Sequence, residues 1–217
     1  MKVSTDSCLF GAWITKMEKE PIRVLDIGAG TGLLMLMLAQ RFNSPIEGIE
    51  IDEICYGQLL ENIESCPWYS RLNVFLGDVR KYEFDRNYDL IISNPPFYEK
   101  QLKANSIAHN TARHSTDLSF EELFTRVASL LNPGGKFAIL IPYYRTEETI
   151  NIAKSNGLNI SSYAIVRHSP AHDWYRSMMI FSTQQIDTEV EQIDVHDDQG
   201  NYSPAFSELL KDYYLFL

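Results

Sequence analysis

The chain has 217 residues, 45% of them hydrophobic, so it can bury one full core and is too short to require two. Its formal net charge is −10, from 19 Lys and Arg against 29 Asp and Glu, which is the wrong sign for holding nucleic acid by charge alone. There is no apolar stretch of membrane-spanning length, no secretory signal in the first twenty residues, and no metal-ligand spacing among the three scattered cysteines. We therefore expect a cytoplasmic protein with no membrane partner and no metal.

The first predicted strand, over 23–27, runs into a glycine-rich loop that precedes an apolar helix over 33–42. Glycines allow a tight turn and close approach to a ligand, and the helix start presents free N–H groups. Asp26 precedes Gly28, Gly30 and Gly32, and the last glycine comes one residue earlier than in the dinucleotide pattern G-x-G-x-x-G. This spacing favours a nucleoside with a cationic amino-acid tail over a pyrophosphate.

The second predicted strand, over 45–52, brings Glu50 to the position where a carboxylate can accept both ribose hydroxyls. The alternative is that Glu50 or Asp52 caps the following helix. A third strand, over 72–76, ends before Asp78, which can accept a hydrogen bond from an adenine amino group or form an Asx turn.

The fourth predicted strand, over 88–93, leads into Asn94-Pro95-Pro96-Phe97. Two prolines stiffen this loop and carry no N–H, so the backbone of the prolines can only accept hydrogen bonds. The side-chain oxygen of Asn94 and the carbonyl of Pro95 can both accept from one NH₂ group, while Phe97 offers a face for a planar ring. The motif indicates recognition of an exocyclic amine on a nucleobase. The competing interpretation is a rigid turn with an aromatic plug.

The remaining elements continue the alternation of strands and helices. A capping box at Ser119 and Glu122 opens a helix to 131, a strand follows over 136–142, and Thr146 is predicted to cap a helix ended by Gly157. Strands over 160–166 and 177–182 are predicted as an antiparallel edge pair. Such alternation predicts a mostly parallel sheet whose strand ends bring the glycine loop, Glu50, Asp78 and Asn94 to one edge.

Taken together, the glycine loop, Glu50, Asp78 and the N-P-P-F motif resemble class I S-adenosylmethionine-dependent methyltransferases that act on an exocyclic nitrogen. Residues 2–13 (KVSTDSCLFGAW), 110–114 (NTARH) and 172–176 (HDWYR) are similar to the bacterial tRNA(Val) adenine-N6 methyltransferase family. The resemblance covers essentially the whole chain. It implies a Rossmann-like α/β fold: a seven-stranded, mostly parallel sheet with an antiparallel edge strand and helices on both faces.

The same resemblance implies an organisation and a reaction. Residues 1–217 form one methyltransferase domain, in which 1–20 cover the cofactor and 184–217 are an acidic extension packed on the core. S-adenosyl-L-methionine is the expected cofactor and tRNA the expected partner, with adenine 37 of tRNA1(Val) as the target; a monomer is compatible with the sequence. The expected catalytic residues are Asn94, Pro95 and Phe97. The expected cofactor contacts are Asp26, Gly28, Gly30, Gly32, Glu50, Ile51, Asp78, Val79 and Asn94, and the expected substrate contacts are Phe97, Tyr98, Lys103, Arg113 and Arg167.

The negative charge pulls against an RNA substrate, although eight carboxylates and a single lysine lie from residue 184 onward. The basic residues beside the N-P-P-F motif and near residue 170 can contact phosphate, or can simply pair with nearby carboxylates such as Asp173. Other acceptors also suit the motif, namely N2 of guanine in ribosomal RNA and the side-chain amide of a release-factor glutamine. A non-catalytic RNA-binding protein and a nicotinamide-dependent reductase are the alternatives from other classes.

Overall fold

The structure is a computed structural model that describes residues 4–17, 19–96, 118–184, 188 and 190–217. Its strands are β1 (Val24–Ile27), β2 (Ile46–Glu50), β3 (Leu72–Leu76), β4 (Tyr88–Ser93), β5 (Leu131–Pro142), β6 (Asn159–Arg167), β7 (Trp174–Ser182) and β8 (Val190–Asp194). In the described part of the chain they form a single sheet in the order β3-β2-β1-β4-β5-β7-β6-β8. β7 runs antiparallel to both its neighbours, and the other adjacent pairs are parallel.

Helices cover both faces of this sheet. They are α1 (Thr5–Ile14), α2 (Leu33–Arg41), α3 (Glu53–Glu64), α4 (Phe120–Leu130), α5 (Thr146–Ser155) and α6 (Pro204–Leu210). Side chains from α1, α2, α3 and α6 share one apolar core with one face of the sheet, and those from α4 and α5 share a second core with the other face. The order of strands reverses at β1 and β4, and in such sheets ligands bind beyond the carboxyl ends of the strands at this point.

Helix α1 is buried along most of its length because it is apolar nearly all round. The seven residues from Cys8 to Ile14 are all buried, unlike those of an amphipathic surface helix. Gly11 lets α1 approach α2 closely, since a Cβ at this position would lie 2.7 Å from Met37 Sδ. The N-terminal segment is therefore part of the core as well as a neighbour of the ligand-binding edge.

The predicted fold class is confirmed, but the number and arrangement of strands differ in detail. The sheet has eight strands in the described residues rather than seven. The antiparallel strand is not at the edge: β7 lies between β5 and β6, and the edge is β8, which is parallel to β6. β8 escaped prediction because Val190-Glu191-Gln192-Ile193-Asp194 is mostly polar, as suits a strand that is paired on one side only.

The helix boundaries follow the predicted caps with one exception. Ser119 and Glu122 form the predicted capping box at the start of α4. Thr146 is not a cap, because Arg145 occupies that position and Thr146 is the first helical residue. Its Oγ1 instead donates a hydrogen bond to the Tyr143 carbonyl at 2.7 Å, which fixes the turn before the helix.

The acidic C-terminal region packs on the first core through α6 and the residues that follow it. Phe206 and Leu210 are fully buried, and Tyr213 donates a hydrogen bond to Thr15 Oγ1 at 3.1 Å. The expectation that the final residues dock on the core is wrong for Leu215 and Phe216, which are 92% and 88% exposed. Among the described residues, no helix combines the length and apolar character needed to span a bilayer.

Candidate active site

The glycine loop between β1 and α2 is held against the end of β2. The Gly28 N–H donates to the Ile49 carbonyl at 2.9 Å. Gly28, Gly30 and Gly32 have φ angles of +74°, +58° and +91°, a region that residues with a Cβ rarely adopt. A Cβ on Gly32 would also lie 2.4 Å from Leu59 Cδ1. Both the backbone path and the packing of this loop therefore require glycine.

Glu50, at the end of β2, is 8% exposed and is oriented by backbone donors. Its Oε2 accepts from the Gly30 N–H at 2.7 Å, and its Oε1 accepts from the N–H groups of Ile51 and Asp52 at 2.9 and 2.8 Å. A carboxylate has about four lone-pair sites, so capacity for a ligand hydroxyl remains. The cap of α3 is Asp52, whose Oδ1 accepts from the Cys55 N–H at 2.8 Å. Of the two carboxylates considered for capping, only Asp52 does so.

Asp26, on β1, is 1% exposed, and no described residue forms a hydrogen bond with either of its carboxyl oxygens. Burial raises the pKa of this carboxyl to about 8, and the negative charge of Glu50 adds to the rise. A buried polar group without a partner is costly, so a donor or cation placed beside it is stabilised. The site thus fits a ligand with an ammonium group, such as the amino-acid tail predicted from the glycine spacing.

The end of β3 is already engaged by a neighbouring side chain. Asp78 accepts from the Arg80 N–H at 2.9 Å, an Asx turn, and its two oxygens also bind the Arg80 guanidinium at 2.7 to 3.0 Å. The hydrogen bond from Arg80 holds the pKa of Asp78 below its usual value. Val79 is buried in the core, whereas Ile51 is 56% exposed beside Glu50. Ile51 is therefore the one of these two whose side chain is available to a planar ligand.

Asn94 lies beside the glycine loop because Ser93, the last residue of β4, donates to the Ile27 carbonyl at 2.9 Å. The Asn94 side-chain nitrogen donates to Ser7 Oγ at 2.8 Å. Because the nitrogen is committed to Ser7, the amide oxygen is turned away from it. Pro95 follows in a half-buried position. The amide is therefore oriented before any substrate arrives.

The start of α1 carries contacts that the sequence did not reveal. Asp6 accepts from the Tyr175 hydroxyl and from Arg176 Nε, both at 2.9 Å, which ties α1 to β7. The adjacent Ser7 holds Asn94. The Ser4-Thr5-Asp6-Ser7 run has the composition of a helix start, and Ser4 does accept from the Ser7 N–H. That signal shows where a helix begins but not which strands it contacts.

Four of the five predicted substrate contacts, Phe97, Tyr98, Lys103 and Arg113, lie outside the described residues. Arg167 is the last residue of β6, which ends on the same side of the sheet as β4, where Asn94 follows. The Arg167 guanidinium pairs with Asp194 and lies 4.5 Å from the Trp174 ring centre. For Arg167 the structure therefore shows the carboxylate-paired alternative, with Asp194 as the partner instead of Asp173. The described residues contain no group of three side chains suited to holding a metal ion.

This chain is similar to known methyltransferases over nearly its whole length. Residues 11–150 match the family described as Methyltransferase small domain. A protein of Bacteroides fragilis named tRNA1(Val) (adenine(37)-N6)-methyltransferase is 39% identical, over 99% of this chain and 91% of its own length. A predicted O-methyltransferase of Agrobacterium tumefaciens has a similar structure, with a TM-score of 0.71, 17% identity and 95% coverage of both chains. A glycopeptide N-methyltransferase solved with S-adenosyl-L-methionine has a TM-score of 0.62 at 10% identity, covering 82% of this chain and 94% of its own.

Proposed function

The chain belongs to the methyltransferase small domain family and, within it, to the tRNA1(Val) (adenine(37)-N6)-methyltransferases, and from this premise we propose that it methylates N6 of adenine 37 in tRNA1(Val). The methyl donor is S-adenosyl-L-methionine, and the compartment is the cytoplasm, where tRNA is found. The observation that carries the proposal is the Asn94 amide, which is held by Ser7 at the strand end next to the Asp26 and Glu50 site.

The cofactor would be held by residues at the ends of β1 and β2. Asp26 would pair with its ammonium, Glu50 would accept its ribose hydroxyls, and Ile51 would contact its adenine. The glycine loop has no side chains at Gly28, Gly30 and Gly32 and would leave room for the cofactor. When bound, this cofactor supplies an electrophilic methyl group on a sulfonium. We assign Asp78 a smaller part in holding the cofactor than Glu50, because Arg80 bonds both Asp78 oxygens.

Asn94 and Pro95 activate the target amine by orienting it. The lone pair of the adenine amino group is delocalised into the ring, so this nitrogen is a weak nucleophile. Two acceptors, Asn94 Oδ1 and the Pro95 carbonyl, hold its two N–H bonds and turn the lone pair out of conjugation. They would also stabilise the positive charge that develops on the nitrogen as it takes the methyl group, and one N–H proton would then pass to water, which leaves the methylated amine neutral. Phe97 and Tyr98 are proposed as the walls against which the splayed-out base stacks.

The proposal is tested by incubating the protein with tritium-labelled S-adenosylmethionine and total RNA from a strain that lacks the activity. Labelled N6-methyladenosine in the tRNA fraction is the expected product. Label in N2-methylguanosine of ribosomal RNA, or in the glutamine of a release factor supplied separately, would identify a different acceptor. An active relative, assayed in parallel, is the positive control. If the relative transfers label and this protein transfers none to any of these substrates, the proposed reaction is contradicted.

Cofactor binding is expected to release a proton from Asp26. A carboxyl with a raised pKa in the folded state contributes stability that is complete below its ordinary pKa of 3.8 and is lost as the pH rises through about 8. An ammonium beside it reverses the shift, so binding S-adenosylhomocysteine at pH 7 should release up to about one proton. Calorimetry in two buffers of different ionisation enthalpy measures this number. Asp26→Asn should release none, and equal proton release by both proteins would contradict the assignment.

The basic residues are proposed to differ in their contacts with RNA. Lys103→Glu and Arg113→Glu should each lower the slope of log affinity against log salt by about one, if each releases about one counterion. Arg167→Gln should change the slope less, because Asp194 already neutralises Arg167. Affinity for a tRNA1(Val) transcript at several salt concentrations measures the three slopes. Identical slopes in all variants would exclude these residues as phosphate contacts.

A further inference from the structure

Substrate would bind at the carboxyl ends of the parallel strands, the edge of the sheet at which Asn94 lies. Among the described residues, four arginines lie at or beside these strand ends, and each forms an ion pair with at least one carboxylate. The pairs are Arg80 with Asp78 and Glu122, Arg145 with Glu148, Arg167 with Asp194, and Arg176 with Asp6. Together with a net charge of −10, this pairing favours contacts other than ion pairs as a further source of RNA affinity at this edge, beside the proposed contacts of Lys103 and Arg113.

Two exposed tyrosines follow β5 at the same edge. Tyr143 and Tyr144 are 38% and 72% exposed, and they belong to a 3-10 turn that begins directly after Pro142. β5 lies next to β4, with Ser93 level with Ile139, so β5 continues three residues further than β4. At about 3.3 Å per residue, the turn lies roughly 10 Å beyond the level at which Asn94 begins its loop. The turn that carries the two rings thus lies beside and beyond the start of the Asn94 loop, on the side of the neighbouring strand.

The turn that carries these rings is fixed from several sides. Thr146 Oγ1 donates to the Tyr143 carbonyl and also bonds Ser177 Oγ on β7, both at 2.7 Å. The Arg145 guanidinium lies 3.7 Å from the Phe120 ring centre. A platform held in this way loses little conformational freedom when a ligand binds, which favours affinity.

We propose that Tyr144, supported by Tyr143, is a stacking surface for an unpaired base of the RNA next to the target adenine. The inference rests on the proposed function, because an unpaired neighbour is available when the target lies in a tRNA loop. Every base has a π-face, and aromatic stacking requires no positive charge. An exposed, neutral ring on a fixed turn therefore supplies the kind of contact that an acidic protein needs here.

The test compares three variants for binding to a fluorescent transcript of the tRNA1(Val) anticodon stem-loop. Tyr144→Ala should weaken binding roughly 5- to 100-fold without changing the salt slope. Tyr144→Phe keeps the ring and should bind like the wild type. Tyr69→Ala is the matched control. Tyr69 is 62% exposed on another 3-10 turn, which precedes β3 and therefore lies at the amino ends of the parallel strands, away from Asn94. Melting temperatures verify that all three variants are folded.

Methyl transfer by the same proteins provides the second measurement. For Tyr144→Ala the KM for RNA should rise by a similar factor, with kcat and S-adenosylhomocysteine binding unchanged. If Tyr144→Ala binds RNA as well as Tyr69→Ala does, the stacking surface is wrong even though the wild type methylates tRNA. If the wild type binds the stem-loop through Tyr144 but methylates no adenine, the proposed reaction fails while the stacking surface stands. A wild type that binds no RNA overturns both.

Discussion

Replacing Asn94 by alanine is expected to lower methyl transfer to tRNA by roughly 10²-fold or more, the scale found when one polar group that acts in a transition state is removed. The side-chain oxygen of Asn94 is one of only two acceptors proposed for the target amine. Its loss leaves one N–H of the amine unheld and the developing positive charge less stabilised. Single-turnover rates at saturating RNA and cofactor report this step directly.

Cofactor binding should be nearly unchanged in the same variant, since among the described residues the Asn94 side chain bonds Ser7 and neither Glu50 nor Asp26. Ser7→Ala is an informative companion: it removes the partner of the amide nitrogen but leaves the amide oxygen in place. We expect a smaller loss of rate from Ser7→Ala than from Asn94→Ala. A wild-type rate in the Asn94 variant would mean that the N-P-P-F loop is only a turn.

Replacing Glu50 by alanine is expected to abolish most of the stabilisation that S-adenosylhomocysteine gives the fold. At a ligand concentration 100 times the dissociation constant, the wild type should gain about 2.7 kcal/mol. If the variant binds about 100-fold more weakly, the gain at the same concentration falls to about 0.4 kcal/mol. The measured quantity is the difference in unfolding free energy with and without ligand. This difference cancels the separate cost of leaving the Gly30 N–H without its acceptor.

Asp52→Asn is the matched control for Glu50, because Asp52 is two residues away and has a different role. It caps α3, and asparagine caps a helix about as well as aspartate, so only the loss of the negative charge at the helix start lowers the stability of the free protein, by about 0.3 to 1 kcal/mol, and the ligand-induced gain stays intact. If Asp52→Asn loses the gain and Glu50→Ala keeps it, the roles assigned to these two carboxylates are reversed. An unchanged melting temperature of the wild type in excess ligand would contradict the cofactor site itself.

The sequence predicts most of the fold because the central strands are short apolar runs bounded by turn residues. β1, β3 and β4 fall within a residue of their predicted positions, as does α2. The prediction fails at one of the two edge strands: β8 is mostly polar, so no hydrophobic pattern marks it, whereas β3 at the other edge is apolar at four of its five positions. The interior position of β7 also depends on which strand it pairs with, and local sequence carries no such information.

Site residues whose role depends on neighbours in the sequence can be predicted from the sequence. Site residues whose contacts come from distant parts of the chain are harder to predict. The glycine loop and Glu50 follow from spacing after a strand. Ser7 as the partner of Asn94 is separated from it by 87 positions, so no local pattern could indicate the contact. The pairing of Arg167 with Asp194 joins the ends of β6 and β8, and it could be foreseen only once β8 was recognised.

The contacts of Asp6 also set the order in which the molecule can become active during synthesis. Asp6 must meet Tyr175 and Arg176, which are 169 and 170 positions further along the chain. At about 5 to 20 residues per second, a ribosome needs roughly 10 to 35 s to supply them after Asp6 has been made. Until then α1 can pack against α2 but has no β7 to bind. A nascent chain that already contains every residue proposed to bind the cofactor therefore still lacks the contacts that tie Asp6, and with it the start of α1 beside Ser7, to the sheet.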